Sequence, residues 1–364
     1  MMKKKLAWKI TGLACIGILI LVTIIVGKQW REKEAMRFVE KMGAGINLGN
    51  SLDSKGVRDY WPDAGVQEFE IAWGNPVTDE GTFAAIAGAG FKTVRIPVTW
   101  MDHMDENGQV SAEWMDRVQE VVDMALKQEL YVILDTHHEE WMNLEVSRED
   151  EICQRFQILW EQIAARFAQY DERLLFESMN EPRLRDSEYE WNAGTPQMRD
   201  MVNRLNRIFL ETVRESGGNN AERYVLICPY GSSYERDAME ALTGMDRRTI
   251  VSIHMYDPYL FCQKEQGVST WDDAAGVTRA EIAENFRAIG ETFCQKNIPV
   301  ILTEFGCIDR GNTKERTEWA AYYAELSRQN HMSYIWWDCG DFRLLDRNTK
   351  EWVFPEIVQA LVQQ

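Results

Sequence analysis

Eight short apolar runs recur along this chain, and helix-like segments separate all but two of them. The runs are Gly45–Leu48, Lys92–Val98, Tyr131–His137, Leu174–Glu181, Tyr224–Pro229, Thr249–Tyr256, Val300–Glu304 and Ser333–Trp337. Helices are predicted near Asp79–Ala89, Ala112–Gln128, Glu149–Tyr170, Pro196–Glu215, Arg279–Lys296 and Lys314–Gln329, with a last one after Pro355. Strands that read as continuous apolar runs are buried on both faces, as in parallel sheets covered by helices. Eight strands with seven or eight helices within one chain of 364 residues predict a closed (β/α)8 TIM barrel rather than an open doubly wound sheet. The first strand is not followed by Gly-x-Gly-x-x-Gly, which also argues against a dinucleotide fold. The barrel is predicted to occupy residues 36–364.

The polar residues gather on one side of this plan. Asn47, Asn50, Arg95, His137, His138, Asn180, Glu181, Tyr230, His254, Tyr256, Glu304 and Trp337 all fall at or just beyond the C-terminal ends of strands. That is the end where the loops of such a barrel build a site. The longest irregular stretches, 51–75, 183–195 and 257–278, also follow strand ends. Strand alternation is expected to turn Glu177, Met179 and Glu181 to the barrel interior, and Val300, Leu302 and Glu304 likewise. Glu181 and Glu304 would then converge over the barrel axis, with Glu177 deeper as a paired structural carboxylate. Two carboxyl groups meeting from different strands are what double-displacement cleavage of a glycosidic bond needs, at a separation of about 5–5.5 Å.

The net charge of −18 is unevenly spread. Seven basic against two acidic residues give residues 1–34 a net +5, which leaves −23 on the rest. An acidic body of this kind repels nucleic acid and anionic lipid, while a neutral substrate is indifferent to it. Ile10–Val26 is an apolar run of 17 residues preceded by lysines. It reads as a membrane anchor or a signal segment, and Cys15 within Leu13-Ala14-Cys15 adds a lipoprotein reading. Residues 1–35 are accordingly expected to form a basic cytoplasmic stub, an anchor or signal, and a linker. The body would then lie outside the cytoplasm, membrane-anchored or secreted. The seven cysteines contain no Cys-x-x-Cys, and a barrel of this size needs no disulfide framework, so most are expected to be free.

Seven segments, taken in order, resemble glycoside hydrolase family 5, the cellulase family of retaining (β/α)8 enzymes. They are Gly45-Ile46-Asn47-Leu48-Gly49-Asn50-Ser51-Leu52-Asp53, Trp73-Gly74-Asn75-Pro76, Val94-Arg95-Ile96-Pro97, Leu134-Asp135-Thr136-His137-His138, Phe176-Glu177-Ser178-Met179-Asn180-Glu181-Pro182, His254-Met255-Tyr256 and Thr303-Glu304-Phe305-Gly306. The resemblance implies that Glu181 is the general acid/base and Glu304 the nucleophile, with no cofactor. Asn180 would hold the sugar 2-hydroxyl, and His137, His138 and His254 would bond sugar or the catalytic carboxylates. Trp337 would floor the subsite of the reacting sugar, with Asn47 in support. Arg95 supplies the counter-charge to Glu304, and the Tyr256 hydroxyl a donor to it. Glu181 is expected to carry a raised pKa, from apolar surroundings and the charge on Glu304, while Glu304 stays ionised.

Trp73-Gly74-Asn75-Pro76 and Trp336-Trp337-Asp338 resemble the branch called subfamily 4, whose members act on cellulose-like chains, mixed-linkage β-glucan or xyloglucan. Ser51, Cys307 and Cys339 depart mildly from the commonest pattern. The expectation is an endo-β-1,4-glucanase with a β-glucan chain as its partner. A mannan-cleaving enzyme of the same chemistry, or a tethered glycan-binding protein without activity, is the alternative. His137-His138-Glu139-Glu140 lacks the His-Glu-x-x-His spacing of a zinc helix, so no metal is expected. Trp114, Trp160 and Trp319 fall on helices and read as packing. Trp61, Trp73, Trp141, Trp191 and Trp271 fall in mouth loops, where aromatic faces suit pyranose rings.

Overall fold

The computed structural model describes residues 33–272 and 276–363. The apolar run 10–26 and Cys15 lie outside the described residues. Among the described residues no helix is long and apolar enough to cross a membrane.

Eight strands, β1 (Ala44–Asn47), β2 (Thr93–Ile96), β3 (Tyr131–Leu134), β4 (Leu174–Glu177), β5 (Val225–Ile227), β6 (Thr249–His254), β7 (Val300–Phe305) and β8 (Ser333–Trp336), form a closed barrel in sequence order. Every neighbouring pair is parallel, and β1 closes the ring on β8 with Gly45 opposite Ile335. Gly45 is needed there, because a Cβ would lie 2.9 Å from the Thr93 carbonyl oxygen.

The helices start where capping chemistry permits. Thr195 accepts from Met198 N ahead of Pro196–Glu215, with Pro at the first turn. Ser111 caps Ala112–Lys127 from the Trp114 N–H, and Thr278 forms a capping box with Glu281 at Arg279–Thr292. Their apolar faces pack on the outward strand residues, among them Val94, Val132, Phe176, Val251 and Leu302.

The inward residues form two layers. Ile133, Leu175, Leu226, Ile250, Ile301 and Ile335 fill the lower barrel. Helix 33–42 plugs the floor beneath them with Ala35, Phe38, Val39 and Met42, spaced so that one helical face is apolar. Phe38 stacks on Tyr224 at 3.9 Å between ring centres. Above this layer the interior turns polar, with Asn47, Arg95, Asp135, Glu177, Ser252 and Thr303 all buried.

Simple alternation fails at two strand ends. Val300 and Leu302 belong to the outer core, contrary to the expectation that they share a face with Glu304. A bulge explains the difference: Leu302 pairs with Tyr334 but Phe305 with Trp336, which leaves an extra residue on β7. Thr303 and Glu304 thereby both turn inward. Met179 also joins the outer core rather than lying beside Glu177. β4 stops at Glu177, and Glu181 sits in the left-handed region with φ +43°. The six described cysteines, Cys153, Cys228, Cys262, Cys294, Cys307 and Cys339, are free.

Candidate active site

Arg95 is the buried hub. Its Nε donates to Glu177 Oε2 at 2.6 Å. Nη1 donates to Glu304 Oε1 at 2.7 Å and to Asn47 Oδ1 at 3.1 Å. Nη2 reaches Asn180 Oδ1 at 3.0 Å and Asp135 Oδ2 at 2.8 Å. Four hydrogen bonds and the ion pair with Asp135 thus surround the guanidinium, the kind of compensation a buried arginine requires. Burial works against this cation, but the charges of Glu177, Asp135 and Glu304 hold it protonated. Glu177 is the paired carboxylate expected from its depth, and its second oxygen accepts from Ser252 at 2.6 Å. Asn47 also ties the bulge down, donating to the Thr303 carbonyl at 2.9 Å and the Trp336 carbonyl at 3.2 Å.

Above the hub, Glu181, His254 and Glu304 meet. His254 Nδ1 lies 2.9 Å from Glu181 Oε1 and 3.5 Å from Glu304 Oε2. One carboxylate oxygen of each glutamate and a ring nitrogen of His254 fall within 4.8 Å of one another. Tyr256 donates its hydroxyl to Glu304 Oε2 at 3.0 Å. Burial and the charge of Glu304 push that phenol far above its usual range, so it stays a donor. Asn180 gives its oxygen to Arg95, which leaves its amide N–H groups for the cleft.

The three titrating groups act as one system. Burial pulls the His254 imidazolium down, but Glu304 and Glu181 outweigh it and the ring lies above its ordinary value. Burial raises Glu304, and Glu181 adds to the rise against His254 and Arg95. Both carboxylates run against the expected order, with Glu304 raised and Glu181 lowered. Burial raises Glu181, yet the hydrogen bond and charge of His254, followed by Arg183, hold it below the usual carboxylate range. Arg183 Nη1 lies 3.1 Å from Glu181 Oε2, a contact two residues along the chain that the sequence reading did not weigh.

His137 donates from Nδ1 to Asp135 Oδ2 at 2.8 Å, and its ring lies parallel to Trp337 at 5.6 Å. Burial and then Arg95 keep this imidazole neutral. His138 stands edge-on to His137 at 4.5 Å and to Trp73 at 5.6 Å, and burial keeps it neutral as well. Tyr230 turns its hydroxyl to loop backbone at Leu184 and Tyr189, away from the carboxylates. A groove of about 620 Å³ opens beside Glu181, His254 and Tyr256, lined also by Trp191, Tyr234 and Tyr259. Of the mouth tryptophans, Trp191 is exposed, whereas Trp271 is buried under Arg279 and Trp141 bonds Glu139 while Arg155 covers its ring. Packing, not sugar, occupies those last two.

A profile of the family described as Cellulase (glycosyl hydrolase family 5) matches residues 54–343. The chain belongs to glycosyl hydrolase family 5. Endoglucanase A of Clostridium longisporum is 38% identical across 91% of this chain and 66% of its own length. Endoglucanase A of Ruminococcus albus is 36% identical across 92% and 93%. The cellulase/esterase CelE of Acetivibrio thermocellus is 36% identical across 93% of this chain, which spans only 41% of that protein. Among solved structures, the GH5-4 broad-specificity endoglucanase from C. longisporum superposes with a TM-score of 0.85, covering 90% of this chain and 97% of that one at 38% identity. XEG5A, a xyloglucan-specific endo-β-1,4-glucanase from a metagenomic library solved with cellotriose, gives 0.85 at 34% identity over 91% and 99%. A lichenase from Caldicellulosiruptor sp. F32 gives 0.84 at 34% over 90% and 94%.

Within this family 5 barrel the sequence reading missed two arginines. One is Arg183. The other is Arg347, buried behind the site, which donates to the Gly49 carbonyl and Ser51 Oγ at 2.8 Å each, and to Asp338 Oδ2 at 3.1 Å. It ties the loop after β1 to the loop after β8. Asp338 lies nine positions before it, but the partners that make it a tie between loops, Ser51 and Gly49, lie 296 and 298 positions away.

Proposed function

We propose that this glycosyl hydrolase is a retaining endo-β-1,4-glucanase, with Glu304 as nucleophile and Glu181 as general acid/base. The observation that carries the reading is the approach of the two carboxylates to within 4.8 Å beside an open groove. Retention calls for about 5–5.5 Å between carboxyl groups, and inversion for roughly 6.5–9.5 Å, to admit a water. In the first step Glu304 attacks the anomeric carbon while Glu181 protonates the leaving oxygen. In the second, Glu181 takes a proton from water, which displaces the enzyme ester. Arg95 and Tyr256 donate to opposite oxygens of Glu304 and fix its attack direction. The free amide of Asn180 is suited to the sugar 2-hydroxyl, and Trp337, backed by His137, to the ring of the reacting sugar.

The substrate class proposed is a β-1,4-glucan chain, plain, mixed-linkage or xyloglucan-like. It rests on neighbours named as a broad-specificity endoglucanase, a xyloglucan-specific endoglucanase and a lichenase. Residues 10–26 are proposed to hold the barrel outside the cytoplasm, which protease accessibility of intact cells would test. Activity is tested on barley glucan, carboxymethyl cellulose, xyloglucan and glucomannan by reducing-end release, with the product anomer followed by NMR. Glu304→Gln and Glu181→Gln are each expected to lose several orders of magnitude. Near-normal turnover in either, or binding of glucan without cleavage by the wild type, overturns the assignment. Faster turnover of glucomannan than of every glucan would favour the mannan-cleaving alternative.

A further inference from the structure

Arg183 holds Glu181 from two sides. One Nη1 atom lies 2.9 Å from the Glu181 carbonyl oxygen and 3.1 Å from its Oε2. The carbonyl contact pins a residue whose backbone is in the left-handed region, a conformation an L-glutamate rarely adopts unaided. The other side of the guanidinium faces the loop 183–195. Nε lies 3.3 Å from Glu190 Oε1, and the cation sits 4.0 Å from the centre of the Trp191 ring. Trp191 is 68% exposed and borders the groove, whereas the Arg183 side chain is only 13% exposed. The indole therefore covers the arginine with one face and leaves the other open.

We propose that Arg183 is a positioning residue that ties the acid/base Glu181 to the loop carrying Glu190 and Trp191, and that a sugar entering the leaving-group side of the groove loosens this tie. The inference rests on the assignment of Glu181 as acid/base. A general acid must hold a proton when the leaving oxygen departs, and a paired guanidinium favours its ionised form. The other groups facing Glu181 do not change this requirement. They are His254 from β6, Glu304 from β7, His137 and His138 from beyond β3, Tyr256 after β6 and Arg185 from the same loop. Of these, His254 and Glu304 belong to the reacting site itself. Arg183 differs because its remaining contacts, Glu190 and Trp191, are the groove wall that a sugar would touch.

The experiment compares wild type, Arg183→Met, Arg183→Lys and Trp191→Ala on an unactivated cello-oligosaccharide, with pH profiles of kcat/KM and kcat and a thermal melt for each. The basic limb of kcat/KM reports the acid in the free enzyme, and that of kcat the acid in the complex. Arg183→Met removes a cation that favours the ionised carboxylate, so its kcat/KM limb is expected to move up by about 0.5–1 pH unit, less than for a fully buried pair. Arg183→Lys keeps the charge and the wild-type limb. In the wild type the kcat limb is expected above the kcat/KM limb, and that gap closes in Arg183→Met and narrows in Trp191→Ala. Equal loss of both parameters at every pH with an unmoved limb, in a variant whose melt shows it folded, overturns the proposal. So does a wild type without the gap. Glu181 itself is tested apart, by azide rescue of Glu181→Ala on a dinitrophenyl cellobioside. Absence of rescue there counts against the acid/base assignment, whatever the arginine variants do.

Discussion

Arg95 Nε donates to Glu177 Oε2 at 2.6 Å, and neither side chain reaches solvent. The pair lies directly beneath the carboxylates that meet at the barrel mouth. Removing one partner leaves the other charge buried and short of a hydrogen bond. Glu177→Ala is therefore expected to cost about 3–5 kcal/mol of stability, measured by urea unfolding. A loss below about 1 kcal/mol would mean that Asp135, Glu304, Asn47 and Asn180 suffice to hold Arg95.

Tyr256 makes the contact on the opposite oxygen of Glu304. Tyr256→Phe removes that donor while leaving the edge-on packing of the ring against Phe342, at 5.9 Å. A hydrogen bond to a charged group contributes about 1.5–3 kcal/mol, so kcat/KM is expected to fall roughly 10- to 100-fold with little change in melting temperature. Unchanged kinetics would show that Arg95 alone orients the nucleophile.

Much of this architecture could be read from the chain because the strands are buried on both faces. Apolar runs mark such strands directly, and Thr195-Pro196 or Ser111 mark where helices begin. Short elements on the rim escaped that logic. The helix Arg236–Ala241 and the hairpin of Leu345–Asp346 with Glu351–Trp352 are too brief to show a period. The sequence suggests no helix over 33–42, where the linker is expected to end at residue 35, yet Phe38 and Val39 of a helix there close the barrel floor. The convergence of Glu181 with Glu304 was anticipated for an incomplete reason. Alternation alone would send Glu304 outward with Leu302; the bulge on β7 brings it in, and the Asn47 contact with the Thr303 carbonyl ties it there. A bulge is a register event between strands, and one strand's sequence does not display it. Arg183 and Arg347 were missed for a related reason, because an arginine in a loop reads as solvated until its partners arrive.

Gly49 allows Trp337 to lie where it does. A Cβ at residue 49 would fall 3.1 Å from Trp337 Cζ2 and 3.2 Å from the Cys339 Cβ. Gly49→Ala should tilt the indole from its parallel position against His137. Overpacking of this kind costs about 1–3 kcal/mol. The expected kinetic sign is a raised KM for cello-oligosaccharides, since the proposed floor for the sugar moves. A variant with wild-type KM would place the sugar elsewhere.

His103 supplies a test of stability that is independent of catalysis. Its ring stacks on Trp114 at 3.6 Å and 7°, with Phe69 edge-on at 4.4 Å. It is buried, and its Nε2 has no hydrogen-bond partner. Burial, aided by Arg58, depresses the imidazole to about 3. The unfolded chain binds a proton at this histidine below about pH 6.5, whereas the folded chain refuses it until about pH 3. Between those values the unfolded state holds more protons, so stability drains away as pH falls, at about 1.4 kcal/mol per pH unit for this one group. His103→Phe keeps the stack and removes the titration. The stability of the variant relative to wild type should therefore improve by about 2 kcal/mol between pH 7 and pH 5, with the carboxylates common to both proteins cancelling in the difference. Urea unfolding of both proteins at the two pH values measures it, and a difference independent of pH would show that His103 takes up its proton without leaving the fold.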